Sequence, residues 1–246
     1  MKLYGVIGYP LEHSFSKKYF TEKFAREGIT DCRYELFPIA SIDELKDTLK
    51  QHPEIAGINV TIPYKQQVLR HLYSAEHIPL GLRACNCIKI INGNLFGYNT
   101  DVIGFERSLL PQLKNYHTNA LILGNGGAAE AVRFVLNKLN IAVKTVSRKL
   151  HEGSDLTYAD LNEKVMSENL LIVNTTPLGT FPNTGECAAI PYQYLTARHF
   201  LYDLVYNPEK SLFLQKGAEH GVAIKNGYEM LVIQAEESWN IWNSKS

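Results

Sequence analysis

Four short segments of the sequence place polar side chains at the ends of apolar runs. They are HSFS (13–16), NVTIPYK (59–65), CNC (85–87) and NTD (99–101). Ligands of open α/β sheets bind outside the carboxyl ends of the strands, so these segments are candidates for a common site. Their hydroxyls, amides, one lysine and one aspartate suit a small ligand with several hydroxyl groups better than an apolar ligand.

Each of these polar residues also has a purely structural interpretation. Ser14 or Ser16 could cap the N-terminus of the helix that follows, and Asp101 could cap a later helix. Asn86 could belong to a turn, and Lys65 could be solvated on the first turn of a helix. A lysine at that position is slightly unfavourable against the helix macrodipole, so it invites a functional reason. The residues alone do not show that the four segments converge.

A glycine-rich turn lies in the second half of the chain. Gly124, Gly126 and Ala129 fit the pattern G-x-G-x-x-G/A, after an apolar run over 120–123 and before an amphipathic helix. The first glycine allows a tight turn, the second lets the backbone approach a pyrophosphate, and the small third residue permits close helix–strand packing. The free N–H groups at the helix start favour an anion. The pattern predicts a dinucleotide site, and the alternative is a plain strand–turn–helix with small residues.

The end of the next strand favours one nucleotide over the other. NAD sites usually carry Asp or Glu about 20 residues past the glycine turn, where it bonds the ribose hydroxyls. Here the stretch is Ser147-Arg148-Lys149, which contains no acid. Arg148 can pair with a 2′-phosphate and stack on adenine, so we predict NADP rather than NAD. The alternative is a solvated pair of basic residues at a strand end.

Short apolar runs alternate with longer amphipathic runs, which predicts βαβ units and a parallel sheet. In the first part we expect strands and helices in turn over residues 3–7, 15–27, 32–38, 42–51, 55–60 and 63–72. Asn92-Gly93 between apolar residues predicts a hairpin, so we expect an antiparallel edge on this sheet. A helix over 101–113, strands over 120–123, 142–146, 170–173 and 199–202, and a last helix over 230–242 follow. The pattern predicts two α/β domains, with boundaries near residues 100 and 225.

The composition excludes several classes of protein. Lys+Arg and Asp+Glu both number 25 and form no block of like charge, which argues against a nucleic-acid partner. No run approaches the 18 apolar residues of a membrane span. Cys85 and Cys87 are too close for an ordinary disulfide, and no His pairs with a Cys at the spacing of a zinc site, so no metal is expected. Few cysteines and no recognisable signal peptide predict a cytoplasmic location.

The chain resembles the shikimate dehydrogenases over nearly its full length. The matching segments, in the family's order, are HSFS (13–16), NVTIPYK (59–65), ACNCI (84–88), YNTDVIG (98–104), GNGGAA (124–129), NTTPLG (174–179), YDLVY (202–206) and NGYEMLVIQA (226–235). The resemblance implies a two-domain α/β fold, with a mostly parallel sheet in a substrate domain and a Rossmann-like NADP-binding domain. It implies reversible reduction of 3-dehydroshikimate to shikimate by NADPH, in aromatic amino-acid (chorismate) biosynthesis.

The resemblance also implies roles for individual residues. The family's catalytic lysine falls on Lys65 and its partner aspartate on Asp101. Substrate contacts fall on Ser14, Ser16, Thr61, Asn86, Tyr206 and Gln234. Cofactor contacts fall on Gly124, Asn125, Gly126, Gly127, Ala128, Ala129, Ser147, Arg148, Lys149, Leu204 and Gly227. The last helix is expected to pack on the first domain, so residues 1–100 plus 226–246 form the substrate domain and 101–225 the NADP domain, with the active site in the cleft between them.

The sequence departs from the family pattern at several positions. Ser147 and Lys149 replace a common Asn and Thr, and Lys17 replaces a common Pro after HSFS. Ser16 favours shikimate over quinate, because relatives that accept quinate often have Thr there. The alternatives are a quinate/shikimate dehydrogenase of broad specificity, a non-catalytic NADP- or metabolite-binding protein on the same scaffold, and another two-domain dehydrogenase that uses lysine. We expect a small-molecule substrate, a monomer or homodimer, and no nucleic-acid or membrane partner.

Overall fold

The first part of the chain builds a six-stranded sheet. The computed structural model describes residues 1–11 and 14–244. The strands are β1 (Lys2–Gly8), β2 (Cys32–Pro38), β3 (Ile55–Val60), β4 (Ser74–His77), β5 (Cys87–Ile91) and β6 (Asn94–Tyr98). Their order is β2-β1-β3-β5-β6-β4, with β5 antiparallel to both of its neighbours and the other pairs parallel. The predicted mostly parallel sheet is therefore confirmed, and its helices are α1 (Phe15–Glu27) and α2 (Leu45–Gln51).

The predicted hairpin is present between β5 and β6. Asn92 and Gly93 both have positive φ, 51° and 79°. Positive φ at both central residues is the conformation of a type I′ turn, whose twist matches that of the flanking strands. The hairpin adds antiparallel strands to the sheet, but β4 rather than the hairpin forms that edge.

The predicted helix over 63–72 is wrong. This stretch is a turn followed by a short 3₁₀ helix over Gln67–His71. The carbonyl of Lys65 accepts a hydrogen bond from the N–H of Cys85 at 2.8 Å, and the N–H of Leu69 bonds to Gln66. Since a backbone acceptor needed for an α-helical ladder is used by another segment, the chain stays in turns. Lys65 therefore lies in a turn and not at the N-terminus of an α-helix, so no helix macrodipole acts on it.

The C-terminal helix completes the core of the first sheet. Helix α7 spans Tyr228–Asn243. Trp242 stacks on Tyr4 of β1 with ring centroids 4.9 Å apart, and its indole N–H bonds the carbonyl of Ile88 at 3.0 Å. A Cβ on Gly57 would lie 2.3 Å from the indole nitrogen, so only glycine lets the ring approach β3 this closely.

Contacts within the chain divide it into two units. The first is 1–100 together with 234 onward, and the second is 101–233. The predicted return of the chain to the first part lay at 226, whereas the structure places it at 234. Residues before 234 stay with the second unit, because the N–H of Gly227 bonds the carbonyl of Val205 and the amide of Asn226 bonds that of Glu209. Helix α7 therefore contributes residues to both units.

The second unit contains an all-parallel sheet. Its strands are β7 (Asn119–Leu123), β8 (Ala142–Ser147), β9 (Leu156–Thr157), β10 (Leu171–Asn174), β11 (Phe200–Asp203) and β12 (Ala223–Lys225). Their order is β12-β11-β10-β7-β8-β9, which is the 3-2-1-4-5-6 order of dinucleotide-binding folds when β7 is counted first. Its helices are α3 (Asp101–Leu109), α4 (Gly127–Lys138), α5 (Glu163–Glu168) and α6 (Leu212–Glu219). The strand order reverses between β7 and β10, where such folds bind their ligand.

Among residues 1–11 and 14–244, no helix is both long and apolar enough to cross a lipid bilayer.

Candidate active site

A buried hydrogen-bond network lies at the centre of the first unit. The side-chain oxygen of Asn86 accepts from the N–H of Thr100 at 2.7 Å, and its amide donates to the Thr100 hydroxyl at 3.0 Å. That hydroxyl lies 3.4 Å from the side-chain oxygen of Gln234. The structure thus brings two predicted substrate residues, Asn86 and Gln234, to one common partner. Asn86 is therefore more than a turn residue, because its side chain fixes the backbone just before Asp101.

Three further residues extend this network. Asn59 donates to the Ser238 hydroxyl at 3.0 Å and accepts from the Tyr34 hydroxyl at 2.9 Å. Ser238 also lies 3.3 Å from the Thr100 hydroxyl. Burial raises the pKa of Tyr34, and a hydrogen bond with Ser16 opposes that rise. The predicted residue Ser16 is thereby linked to the same network.

Ser14 and Thr61 lie at the ends of two elements that contribute to this network. Ser14 precedes α1 and Thr61 follows β3. Ser14 occupies the N-cap position of α1, but its side chain makes no capping hydrogen bond. The capping interpretation thus holds for its backbone and leaves its hydroxyl without that role. Thr61 directly follows β3, and its N–H bonds the carbonyl of Ile7 at 3.0 Å. His13 of the HSFS segment lies outside the described residues.

The turn that carries Lys65 is anchored on both sides. The N–H of Tyr64 bonds Thr61 and its hydroxyl donates to the carbonyl of Ile39 at 2.7 Å. Lys65 itself is half-buried, and its carbonyl is held by Cys85. Two segments singled out from the sequence, 59–65 and 85–87, are therefore joined through the backbone of the lysine. The side chain of Lys65 therefore projects from a rigid turn, whose backbone is held by the hydrogen bonds of Tyr64 and Cys85.

Asp101 is the first residue of α3 and is buried, with 5% of its surface exposed. It follows Thr100, whose backbone and hydroxyl are fixed by Asn86. Its carboxylate belongs to the first turn of a helix, where a negative charge is favoured by the macrodipole. A helix-capping role and a role in chemistry are both compatible with that position.

The glycine-rich turn of the second unit has the conformation that its sequence predicts. Gly124 has φ +103°, and a Cβ there would lie 2.9 Å from the hydroxyl of Thr175. Gly126 precedes α4, and a Cβ there would meet no atom within 4 Å. Ala129 is fully buried. The open space over Gly126, at a helix N-terminus, fits a pyrophosphate approaching the backbone.

A second loop follows β8 and carries the predicted basic residues. Arg148 and Lys149 are exposed, and the Ser147 hydroxyl donates to the carbonyl of Lys149 at 2.5 Å. Burial raises the pKa of Tyr158, and the charge of Arg148 opposes that rise. The loop therefore presents positive charge and no carboxylate at 147–149, where NAD sites place an acid.

Arg133 of α4 links strand β8 to the glycine turn. Its guanidinium donates to the side-chain oxygen of Asn125 at 3.2 Å and to the hydroxyl of Thr145 at 2.8 Å. A Cβ on Gly153 would lie 3.2 Å from the amide of Asn125. Asn125 is thus held between α4 and the loop after β8, which fixes the first part of the glycine turn.

Three further predicted residues lie after the last two strands of this sheet, Leu204 and Tyr206 after β11 and Gly227 after β12. Leu204 donates its N–H to the carbonyl of Asn174 at 2.9 Å. A Cβ on Gly227 would lie 2.2 Å from the Leu204 carbonyl oxygen, so that position accepts only glycine. Tyr206 is half-buried in the same loop. Leu204 and Gly227 are therefore brought together, as a tight backbone contact at the carboxyl end of the sheet.

Sequence reasoning missed several residues of these networks. Thr100 and Ser238 were assigned no role, and neither was Asp203 in the second unit. Ser238 lies four residues after Gln234 on α7, so helical spacing was the one available signal. In the part of the chain that the structure describes, no group of three or more His, Cys, Asp or Glu side chains could hold a metal ion.

The second unit defines the class of the protein. Its strand order, the glycine turn after the first strand and the acid-free basic loop after the second are those of a dinucleotide-binding α/β protein. The first unit adds a separate sheet with a buried network of amides and hydroxyls. Such a pairing is typical of an oxidoreductase that combines a nicotinamide nucleotide with a polar substrate.

Comparison with known proteins then gives the family. The family described as the shikimate dehydrogenase substrate binding domain matches residues 6–88. A shikimate dehydrogenase (NADP(+)) from Methanococcus maripaludis is 35% identical, over 99% of this chain and 92% of the relative. The chain belongs to the shikimate dehydrogenase family.

Solved structures agree with this assignment. A chorismate mutase/shikimate 5-dehydrogenase fusion protein from Clostridium acetobutylicum has a TM-score of 0.85 at 33% identity, covering 100% of this chain and 92% of that one. The shikimate 5-dehydrogenase from Thermus thermophilus in complex with NADP(H) and shikimate has a TM-score of 0.85 at 26% identity, covering 99% and 94%. The predicted fold class is thereby confirmed.

Proposed function

We propose that this protein is an NADP-dependent shikimate dehydrogenase, which interconverts 3-dehydroshikimate and shikimate in aromatic amino-acid biosynthesis. The similarity to NADP(+)-dependent relatives over 99% of the chain carries this proposal. Amides and hydroxyls cluster in the first unit, as a substrate with several hydroxyl groups requires. The loop after β8 presents Arg148 without a neighbouring acid, which suits a 2′-phosphate.

The chain can hold the cofactor with groups of the second unit. Bound NADPH supplies the hydride that reduces the substrate ketone. The N–H groups at the start of α4 suit the pyrophosphate, and the open space over Gly126 leaves room for it. We assign the 2′-phosphate to Ser147, Arg148 and Lys149. The backbone contact between Leu204 and Gly227 suits one wall of the same site.

Lys65 is the proposed acid–base catalyst. When the ketone is reduced, its oxygen gains negative charge and needs a proton. The Lys65 ammonium stabilises that charge and donates its Nζ proton to the oxygen. In the reverse direction the neutral amine accepts the proton of the substrate hydroxyl. The rigid turn around Lys65 supports this role, because a proton donor must be held in a fixed geometry.

Asp101 is proposed to orient the lysine and a substrate hydroxyl. Its backbone is fixed by its neighbour Thr100, which belongs to the network of Asn86 and Gln234. We further propose that substrate hydroxyls and carboxylate contact Ser14, Ser16, Thr61, Asn86, Tyr206 and Gln234. A carboxylate that accepts from both a lysine and a hydroxyl would keep the two groups aligned for proton transfer.

Initial rates of shikimate oxidation test the proposal. The purified protein is assayed with shikimate and with quinate, each with NADP and with NAD. Faster turnover of shikimate with NADP is expected. Preference for NAD would overturn the assignment of the basic loop, and preference for quinate would favour a dehydrogenase of broad specificity. Folded protein that binds NADPH without turning over either substrate would instead be a non-catalytic binding protein.

Replacing the lysine tests its chemical role. Lys65→Ala is expected to lower kcat by a factor of about 10²–10⁴, the usual cost of losing a general acid–base group. Its Kd for NADPH, measured by calorimetry, should stay near that of the wild type. Lys50→Ala is the matched control, because Lys50 is exposed and its ammonium lies 3.0 Å from the carboxylate of Asp47. A Lys65→Ala protein with near-normal kcat would exclude the role.

We also propose that the enzyme works in the cytoplasm, as a monomer or homodimer with small-molecule partners only. Its four cysteines are free thiols, which suits a reducing compartment. Sedimentation equilibrium over a range of concentrations measures the state of assembly. A larger oligomer would contradict this part of the proposal.

A further inference from the structure

A buried carboxylate ends strand β11. Asp203 is 0% exposed, and it accepts hydrogen bonds from the amide of Asn174 at 2.9 Å and the N–H of Val205 at 3.0 Å. The hydroxyl of Ser211 donates to its other oxygen. All three donors are neutral. Burying a carboxylate beside neutral donors is costly, so the position invites a reason beyond packing.

One arm of this cluster reaches the glycine turn. Asn174 ends β10 and is the register partner of Asp203 on β11. Its side-chain oxygen accepts from the N–H and the hydroxyl of Thr176, at 3.1 and 2.7 Å. A Cβ on Gly124 would lie 2.9 Å from the methyl of Thr176. Asp203 therefore orients the side-chain amide of Asn174. Asn174 in turn holds Thr176, which packs against the glycine turn.

The other arm fixes the loop after β11. Asp203 holds the N–H of Val205, and the Val205 carbonyl accepts from the N–H of Gly227. Leu204 lies between Asp203 and Val205 in the chain, and its N–H donates to the carbonyl of Asn174. One carboxylate therefore sets the path of residues 204–205 and their contact with Gly227. Its third donor, Ser211, is also the N-cap of α6, so the loop is fastened at its far end.

The strand order shows which part of a dinucleotide this loop faces. The glycine turn follows β7, and the basic loop follows β8 on one side of it. Strands β10 and β11 lie on the other side of β7. A dinucleotide lies along the carboxyl ends of the strands with its pyrophosphate at the glycine turn. If its 2′-phosphate end lies over β8, its nicotinamide end lies over β10 and β11.

We propose that Asp203 is a positioning residue for the nicotinamide half of the cofactor, acting through Asn174, Val205 and the loop over 204–206. The proposal rests on the proposed function. The carboxylate does not touch the reacting atoms. It holds the wall against which the nicotinamide ring is placed, so its loss should disturb hydride-transfer geometry and leave the adenosine half unaffected.

Two ligands separate the two halves of the cofactor. Asp203→Asn keeps the shape but replaces one acceptor oxygen with an amide donor that faces the Ser211 hydroxyl. We expect it to lower kcat and weaken NADPH binding by about tenfold each, the effect of one lost charge-assisted hydrogen bond. The Kd of 2′,5′-ADP, which lacks the nicotinamide half, should stay within about twofold of the wild-type value. Calorimetry gives both Kd values without any turnover.

Two further variants keep the test decisive. Ser211→Ala removes one donor and should shift the same quantities in the same direction by less, even if Asp203→Asn folds poorly. Asp160→Asn is the matched control, because Asp160 is an exposed carboxylate of the same unit that accepts from Thr157. It should leave kcat and both Kd values unchanged.

The outcomes separate this proposal from the proposed function. Equal weakening of NADPH and 2′,5′-ADP would overturn the positioning role in favour of a general loss of structure, and so would unchanged values in folded Asp203→Asn. A wild-type protein that binds NADPH but does not oxidise shikimate would overturn only the proposed function, since the ratio of the two Kd values still tests Asp203. A wild-type protein that binds neither ligand overturns both.

Discussion

Arg148 is the residue on which the choice between NADP and NAD is expected to depend. It is exposed at the carboxyl end of β8, beside Ser147 and Lys149, in a loop anchored by the buried strand behind it. A planar guanidinium can make two parallel hydrogen bonds with a phosphate, which lysine cannot reproduce. We therefore expect selectivity for the 2′-phosphate to depend mainly on this one side chain.

Replacing Arg148 should change selectivity more than activity. Arg148→Gln is expected to raise KM for NADP by about tenfold, because a charge-assisted hydrogen bond is worth about 1.5–3 kcal/mol. KM for NAD should change little, since NAD has no 2′-phosphate. Steady-state kinetics with both nucleotides measure the ratio. Arg198→Gln is the control, because Arg198 lies over the ring of Tyr116. An equal loss with both nucleotides would show that Arg148 acts on the fold instead.

Asp203 gives the stability of the protein a pH dependence of defined sign. Burial raises the pKa of this carboxyl from 3.8 to about 6, against hydrogen bonds from Ser211, Val205 and Asn174 that lower it. The charge of Asp203 in turn contributes to the raised pKa of the Tyr192 phenol, whose largest cause is burial. Because the folded state holds the proton more tightly, this contribution to stability is complete below about pH 4 and is lost as pH rises through about 6.

Urea unfolding measured between about pH 4 and pH 7 tests this sign. The free energy of unfolding of Asp203→Asn, relative to the wild type, should rise across this window, by about 1.4 kcal/mol for each unit by which the pKa differs. Asp160→Asn should show almost no slope in this window, because hydrogen bonds from Thr157 lower the pKa of Asp160 from 3.8 and its titration lies below pH 4. Parallel curves for the wild type and Asp203→Asn would contradict the prediction.

At the residue scale, the sequence predicted those features that depend on the backbone conformation of one or two neighbouring residues. The glycine turn was predictable because Gly124 and Gly126 act through their own backbone, and the hairpin at Asn92-Gly93 for the same reason. Asp203 and Ser238 were not predictable as parts of a network. Ser238 bonds Asn59, which is 179 residues away in the chain. No period or spacing encodes such a pair.

Strands and helices were predicted well where their hydrophobic pattern agreed with their packing. Helix α1 and strands β2 and β3 have the bounds that the sequence predicts. The failure over 63–72 has a tertiary cause, since Cys85 takes the carbonyl of Lys65. Local preference for a helix is weak, and a competing hydrogen bond from a distant segment overrides it. The turn that stands in place of the predicted helix carries Lys65, the proposed catalyst.

Helix α7 is fastened to the first sheet by Trp242, which is 5% exposed. Trp242→Ala is expected to lower the free energy of unfolding by about 3–5 kcal/mol, the usual cost of removing a buried aromatic side chain. It also leaves the carbonyl of Ile88 without its indole donor. Denaturant unfolding followed by circular dichroism measures the loss. Asn240→Ala, at an exposed position of the same helix, is the control. A Trp242→Ala protein as stable as this control would refute the role.

At the scale of the whole molecule, the first unit is assembled from both parts of the chain and the second is continuous. Residues from 234 onward supply Gln234, Ser238 and Trp242 to the first unit. The second unit, 101–233, has its own sheet and its own core. The family resemblance also predicts a discontinuous first domain, with the chain returning to it at residue 226; helix α7 runs unbroken through that region.

Ending the chain at Ile233 should therefore destabilise the first unit and leave the stability of the second unit nearly unchanged. The first unit loses the tryptophans that pack on Tyr4, and we expect it to become sensitive to protease. The second unit should resist digestion and still bind NADPH. Limited proteolysis with mass spectrometry, followed by calorimetry of the resistant fragment, gives both results. Equal resistance of both units, or loss of both, would contradict the prediction.

The divided first unit also sets an order of events during synthesis. Its strands leave the ribosome first, but they wait for the final turns of α7 while the whole second unit is made. At ordinary rates of translation that interval is on the order of ten seconds. The nucleotide-binding unit, although it comes later in the chain, can be the first to finish folding. We expect the apolar faces of the earlier strands to stay uncovered until α7 has been made, which exposes them to aggregation during that interval.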